Sequence, residues 1–224
     1  MTKFLFMLTH HDVTVANAVE VFEGIKNTGL ECVGFKDIGL EEDELLKLID
    51  LMKKERMKIF MEVVSYSKEE HLKAAGRASQ LGVDYLIGGM PPYTKLMLEF
   101  LRKEGAKTKY FPYAGKIREH PCILDGTIEE IIQEAKEAEA LGVDGINLLA
   151  YRYVGDIQQL LTKFRDAISV PVIIAGSIDS FERIGEVVSL KYWGFTIGGA
   201  VFEKKFVPKG SIREQLISVL KALE

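Results

Sequence analysis

A chain of 224 residues with 47% hydrophobic and 28% charged residues can bury a sizeable core, which excludes disorder, collagen and coiled coil. Its 29 basic against 33 acidic residues leave a net charge of -4, so neither nucleic acid nor an anionic membrane is the expected partner. No apolar run reaches the ~18 residues of a membrane span, the start MTKFLFMLTHHD does not read as a signal peptide, and Cys32 and Cys122 lack C-x-x-C spacing; a cytoplasmic protein with two plain thiols is expected.

Short apolar runs rich in β-branched and aromatic residues alternate with amphipathic stretches along the whole chain. In order, strands are expected at KFLFMLT (3 to 9), CVGFKD (32 to 37), KIFMEVV (58 to 64), DYLIGG (84 to 89), KYFPYA (109 to 114), GINLLAY (145 to 151), VPVIIAG (170 to 176) and WGFTIGG (193 to 199). The helices between and after them fall near 14 to 27, 41 to 55, 67 to 80, 92 to 104, 127 to 140, 155 to 167, 180 to 190 and 211 to 222. Ser67 with Glu70, Thr127 with Glu130 and Ser211 with Glu214 fit capping boxes, and Gly29, Gly82, Gly105 and Gly142 mark helix ends. Leu81-Gly82-Val83-Asp84 recurs as Leu141-Gly142-Val143-Asp144, each leading from an Ala-rich helix into a strand. Eight such units over one domain, 1 to 224, predict a single (β/α)8 TIM barrel with eight parallel strands; an open doubly wound sheet is the alternative, but LTHHD is not the Gly-rich turn it requires.

In this fold the site lies at the C-terminal strand ends, and the loops after strands seven and eight often bind phosphate through backbone N–H groups. Here those loops read Ala175-Gly176-Ser177-Ile178 and Gly198-Gly199-Ala200-Val201-Phe202, small residues where backbone must approach an anion. The pair AGSI and IGGAVF, within residues 170 to 203, resembles the tail of the ribulose-phosphate-binding barrels. That group includes histidine- and tryptophan-pathway barrel enzymes, pentose-phosphate epimerases and amino-sugar-phosphate epimerases. The resemblance implies phosphate binding at Gly176, Ser177, Gly198 and Gly199; the alternative is that these residues only allow tight turns. Ser177 stands where many relatives have a second glycine. No single family pattern fits: strand five lacks the aspartate of the histidine-pathway isomerases, strand six lacks the aldolase lysine, and the epimerase metal set of two histidines and two aspartates is not evident.

The other strand ends supply the candidates for chemistry. Glu62 interrupts the apolar run IFMEVV, where a carboxylate is costly to bury unless it is partnered or at the open end; it reads as a general base or as the ion-pair partner of Lys36 or another cation. Lys36 closes CVGF and reads as a Schiff-base or proton-relay lysine, or as an anion attractor paired with Asp37. One of His10 and His11 is expected to serve as acid, base or donor, because adjacent strand residues face opposite sides. Lys116, in the long connection 114 to 126, is a further candidate, with His120 farther out. Asp37, Tyr151 and Arg152 are expected substrate contacts, and Lys36, Lys116, Arg118 and Arg152 are expected to converge on the mouth as a funnel for an anion. No metal site and no cofactor are predicted.

The expected function is proton transfer next to a carbonyl of a small phosphorylated sugar or related metabolite, as isomerase, epimerase or carbon-carbon lyase. The rival is a non-catalytic barrel that senses a phosphometabolite. A homo-oligomer is compatible with either.

Overall fold

The computed structural model describes residues 2–118 and 122–224; His120 therefore lies outside the described residues. Eight parallel strands form one sheet: β1 (Lys3–Met7), β2 (Cys32–Lys36), β3 (Lys58–Val63), β4 (Tyr85–Gly88), β5 (Lys109–Phe111), β6 (Ile146–Leu148), β7 (Val172–Ile174) and β8 (Gly194–Ile197). Their spatial order is β6-β7-β8-β1-β2-β3-β4-β5. Between the two ends, Asn147 N donates to Pro112 O at 2.8 Å and Tyr113 bridges to Asn147, so the sheet curls into a nearly closed barrel as expected.

Helices α1 (Ala18–Ile25), α2 (Glu42–Lys54), α3 (Lys68–Leu81), α4 (Thr94–Lys103), α5 (Ile128–Leu141), α6 (Ile157–Ala167), α7 (Phe181–Ser189), α8 (Gly199–Phe202) and α9 (Ile212–Lys221) alternate with the strands. The three expected capping boxes are all formed, and Gly82 and Gly142 end α3 and α5 in the left-handed conformation that a side chain disfavours. The repeated aspartates have a physical purpose. Asp84 Oδ2 accepts from Ile59 N at 2.9 Å and Asp144 Oδ2 from Tyr110 N at 2.9 Å, so each latches onto the start of the preceding strand. At that same end of the barrel Lys3 lies over Trp193 and Lys109 over Tyr85, and Lys58 pairs with Asp84 at 2.9 Å.

Inside the barrel, Leu5, Met7, Cys32, Phe60, Ile87, Phe111 and Ile173 pack together with Tyr85 and Trp193. This apolar plug fills the lower interior, and the acid-base side chains Lys36 and Glu62 lie above it at the C-terminal ends of their strands. The residues on the other strand faces pack against the helices.

Four local features depart from the sequence reading. The first expected strand breaks after Met7 and re-forms as an antiparallel ribbon, Thr9–His10 with Val13–Thr14, which delays α1 to Ala18. The long connection after β5 carries a second ribbon, Lys116–Arg118 with Ile123–Asp125. Strand six ends at Leu148 and turns into a 3-10 segment, Ala150–Arg152. The short helix α8 follows β8 directly, where the sequence showed only a small-residue loop.

Candidate active site

The ribbon after β1 folds back onto the end of β2. Thr14 Oγ1 accepts from Lys36 N at 2.8 Å and donates to Lys36 O at 2.9 Å, which pins the ribbon over that strand. Its turn consists of His11 and Asp12, non-glycine residues with φ of 50° and 62°. This left-handed turn delivers the Asp12 carboxylate to Lys36, 2.6 Å from Nζ. From the neighbouring strand, where Lys36 and Glu62 are register partners, Glu62 Oε2 approaches the same Nζ to 3.8 Å. Tyr113, just beyond β5, donates its hydroxyl to Glu62 Oε1 at 2.6 Å. Asp12, Lys36, Glu62 and Tyr113 thus form one connected cluster.

Burial by itself would lower the Lys36 pKa, but the charges of Glu62 and Asp12 outweigh it and hold the ammonium above its ordinary value. Burial and the adjacent carboxylate push the Tyr113 hydroxyl well up, which keeps it a donor to Glu62. Burial also raises the Cys122 thiol, so it is not poised as a thiolate.

The cluster opens into a cavity of 360 Å³ at the C-terminal end of the barrel. Gly176, Ser177, Gly198 and Gly199 line the same cavity, so the expected anion loops and the acid-base cluster face one volume. Ser177 has φ of 56°, a left-handed conformation, which gives a physical reason for glycine there in other barrels. Arg152 lies against Gly176, with Nε 3.4 Å from Ser177 Oγ and Nη1 3.5 Å from Cys122 O. A larger depression of 770 Å³ at the opposite end, around Pro171 and Trp193, has only Arg165 and Lys191 as charged groups and no acid-base cluster.

Several expectations need correcting. His10 and His11 both line the cavity, since the chain has left the strand and alternation no longer separates them; their ring centroids are 3.8 Å apart. His10 stands at the Gly199 side, 3.8 Å from Glu203 Oε1. Lys36 pairs with Asp12 and not with Asp37, whose Oδ1 accepts from Val64 N at 3.3 Å instead. Lys116 lies on the second ribbon and lines a separate cleft with Tyr66 and Tyr93, while Arg118 pairs with Asp125 at 2.8 Å. The expected funnel therefore reduces to Lys36 and Arg152, which share the cavity wall with Asp12, Glu62, Asp179 and Glu203. Tyr151 is turned away by the 3-10 segment and donates to Glu186 Oε2 at 2.5 Å. Among the described residues no group of three or more His, Cys, Asp or Glu side chains is placed to hold a metal ion.

Two polar residues inside the barrel shell were not singled out from the sequence. Asn147, at the centre of β6, is fully buried, and neither end of its carboxamide has a hydrogen-bond partner among the described residues. Its signal was the same as that of Glu62, a polar residue interrupting an apolar strand. His71, fully buried in α3, joins Ser67 O through Nδ1 at 2.7 Å and accepts from Met90 N through Nε2 at 2.8 Å, tying α3 to the loop after β4.

Two expected results follow from the charge states. Because Lys36 is held as an ammonium, borohydride treatment in the presence of a carbonyl sugar phosphate should leave the intact mass unchanged. A stable adduct on Lys36 would move the chemistry to a Schiff-base lyase. Asp37 is pushed up to about 6 by burial, from an ordinary 3.8. A raised carboxyl penalises the folded state only where it must ionise, so the cost is absent below the unfolded value and complete above about pH 6. Asp37→Asn should therefore stabilise the fold at pH 7 by up to about 3 kcal/mol and not at pH 3.5, as read from denaturant melts. Equal effects at both pH values would show that the burial of Asp37 carries no such cost.

No protein-family model matches the chain. It is 30% identical over 99 residues to a protein of Enterobacter sp. (strain 638) provisionally named N-acetylmannosamine-6-phosphate 2-epimerase, a match covering 40% of this chain and 42% of that one. A second protein provisionally so named, from Listeria welshimeri serovar 6b, is 28% identical over 126 residues, 49% of this chain and 53% of its own. The chain thus spans about half the length of the curated relatives it matches. Over its full length the fold resembles N-acetylmannosamine-6-phosphate 2-epimerase from Clostridium perfringens, with TM-score 0.64 and 12% identity, covering 99% of this chain and 93% of that one. Orotidine 5'-phosphate decarboxylase from Pyrococcus horikoshii OT3 is equally similar, with TM-score 0.64, 12% identity and 98% of both chains covered. The BexX/CysO complex of Amycolatopsis orientalis contains a chain with TM-score 0.66 and 15% identity, covering 100% of this chain and 88% of that one. The epimerase relatives and the decarboxylase neighbour are ribulose-phosphate-binding barrels, the group that residues 170 to 203 resemble.

Proposed function

We propose that the chain is a sugar-phosphate epimerase that inverts a carbon next to a carbonyl, with an N-acetylhexosamine 6-phosphate as substrate. The observation that carries this is the single 360 Å³ cavity shared by the two small-residue loops and the Asp12–Lys36–Glu62–Tyr113 cluster. That volume is in the range of small-ligand sites. The substrate class is taken from the names of the sequence relatives.

In this reading backbone N–H groups of residues 176 to 178 and 198 to 199 hold the phosphate, with Arg152 beside them. Glu62 takes the proton from the carbon adjacent to the carbonyl, and Tyr113 fixes the orientation of its carboxylate. The electron pair left behind moves onto the carbonyl oxygen, where the Lys36 ammonium stabilises the enolate. An ammonium suits that role and opposes imine formation, which favours epimerisation over a Schiff-base lyase.

The direct test is incubation with N-acetylmannosamine 6-phosphate in D2O, followed by NMR. Formation of its C2 epimer with deuterium at C2 is the expected result. An unchanged spectrum, with neither epimer nor label, would overturn the proposal.

A further inference from the structure

Arg183, in the first turn of α7, stands outside the ring of residues that line the cavity, yet it grips the loop after β7 that does line it. Its Nη1 donates to Ser177 O and, at 2.8 Å, to Asp179 Oδ1. The arginine is itself held in place. Ser180 Oγ accepts from its backbone N–H at 3.3 Å, its guanidinium carbon stands 5.0 Å from the centre of the Tyr151 ring, and the Tyr151 hydroxyl lies 3.2 Å from Arg183 O. Ser177, with φ of 56°, follows Gly176 at 76°, and a residue with a Cβ keeps to that left-handed region only where its surroundings hold it there. A hydrogen bond from a charged donor is of the same order as that strain. In a planar trans peptide the C=O of one residue and the N–H of the next point in opposite directions. With Ser177 O turned to Arg183, the Ile178 N–H is turned away from it. Ile178 is buried and lines the cavity, and among the described residues nothing accepts from its N–H or from that of Ser177. Buried N–H groups are nearly always paired, so this one is notable as an unused donor beside a cavity.

We infer that Arg183 is a positioning residue of the anion site: by holding the Ser177 carbonyl away from the cavity it presents the Ile178 N–H to a phosphate oxygen. This rests on the anion-site part of the reading above. The guanidinium acts through geometry more than through its charge, because Asp179 on the cavity wall offsets that charge. Released from Arg183, Ser177 leaves the left-handed region and the peptide after it turns, so that a carbonyl oxygen faces the phosphate where the N–H had been. A glycine in that place needs no such support, which links the arginine at 183 to the serine at 177. Tyr151, which misses the cavity, serves the same loop through its contact with Arg183. The alternative is that Arg183 only neutralises Asp179 beside the anion.

The test measures the dissociation constant of inorganic phosphate, by calorimetry and thermal shift, in the wild type, in Arg183→Met, in Arg183→Met with Asp179→Asn, and in Ser177→Gly with and without Arg183→Met. Arg183→Gln replaces the methionine variant if that one does not fold. Arg183→Met is expected to weaken phosphate by about tenfold or more, the loss of one oriented hydrogen bond, while the ligand-free melting temperature moves by only a few degrees. Adding Asp179→Asn should not restore the affinity. In the Ser177→Gly background the same arginine change should weaken phosphate by less than about threefold, since the backbone no longer needs to be held. Recovery of wild-type affinity on adding Asp179→Asn would reduce Arg183 to a neutralising charge and overturn the inference. An equal loss in the serine and glycine backgrounds, or unchanged affinity in Arg183→Met, would overturn it too, and in all three cases the anion-site reading stands because the wild type still binds. A wild type that binds no phosphate would instead overturn the anion-site reading, and the inference with it.

Discussion

Replacing Glu62 by Gln is expected to lower turnover by about 100-fold or more while affinity for the sugar phosphate changes little. The amide keeps the volume and still accepts the Tyr113 hydroxyl through an oxygen, so the wall of the cavity is preserved. What disappears is the only property the chemistry needs from this position, the capacity to take a proton. A purely structural Glu62 would behave differently. Its contact with Lys36 is the longer of the two, 3.8 Å against 2.6 Å to Asp12, so Lys36 stays paired in the variant and the melting temperature should move by only a few degrees. Initial rates and melting curves on the same preparation separate the two roles. Turnover retained with a clearly lower melting temperature would sink the catalytic claim.

The barrel was legible in the sequence because its signals were local. The hydroxyl and carboxylate pairs Ser67 with Glu70, Thr127 with Glu130 and Ser211 with Glu214 fix helix starts within one turn, and the strands announce themselves as short apolar runs. The segments that escaped are those whose structure is set by distant contacts. The ribbon Thr9–His10 with Val13–Thr14 is too short to show periodicity and exists because Thr14 binds the backbone of Lys36. Helix α8 has four residues, and its sequence GAVF continues the apolar pattern of β8.

The site was legible as a set of residue types and not as a set of partners. Glu62 stood out because a carboxylate inside an apolar strand must be compensated, and the structure supplies both Lys36 and Tyr113. Which carboxylate pairs most closely with Lys36 was not readable, since Asp37 is adjacent in sequence while Asp12 arrives through a folded-back turn. Lys116 was misplaced for a related reason: a residue shortly after a strand end follows wherever the loop goes, and that loop forms its own ribbon beside the cavity. Asn147 carried a readable signal that was passed over, an amide within GINLLAY with no neighbour in sequence to satisfy it.

The anion site has its own decisive substitution, and the structure selects which glycine to change. A Cβ on Gly198 would stand 2.5 Å from Thr9 Oγ1, 2.9 Å from Thr9 O and 3.3 Å from Met7 O, so a side chain there would distort the junction of β8 with β1 and lose binding through misfolding. At Gly199 the nearest atoms are Glu203 Oε1 at 3.7 Å and His10 Cδ2 at 3.8 Å, both at ordinary contact distance and both from residues that line the cavity. Valine at position 199 should therefore be accommodated by the fold and project into the volume reserved for phosphate. Gly199→Val is expected to melt within a few degrees of the wild type without ligand and to lose the protection that inorganic phosphate or a sugar phosphate gives the wild type, with affinity lowered at least tenfold. Since the backbone N–H groups and not a side chain do the binding, no compensating charge nearby should rescue it. Thermal shift across a phosphate titration measures both quantities at once. Full protection of Gly199→Val by phosphate would mean that the anion sits elsewhere in the barrel, and the orientation of the sugar relative to Glu62 would have to be drawn again.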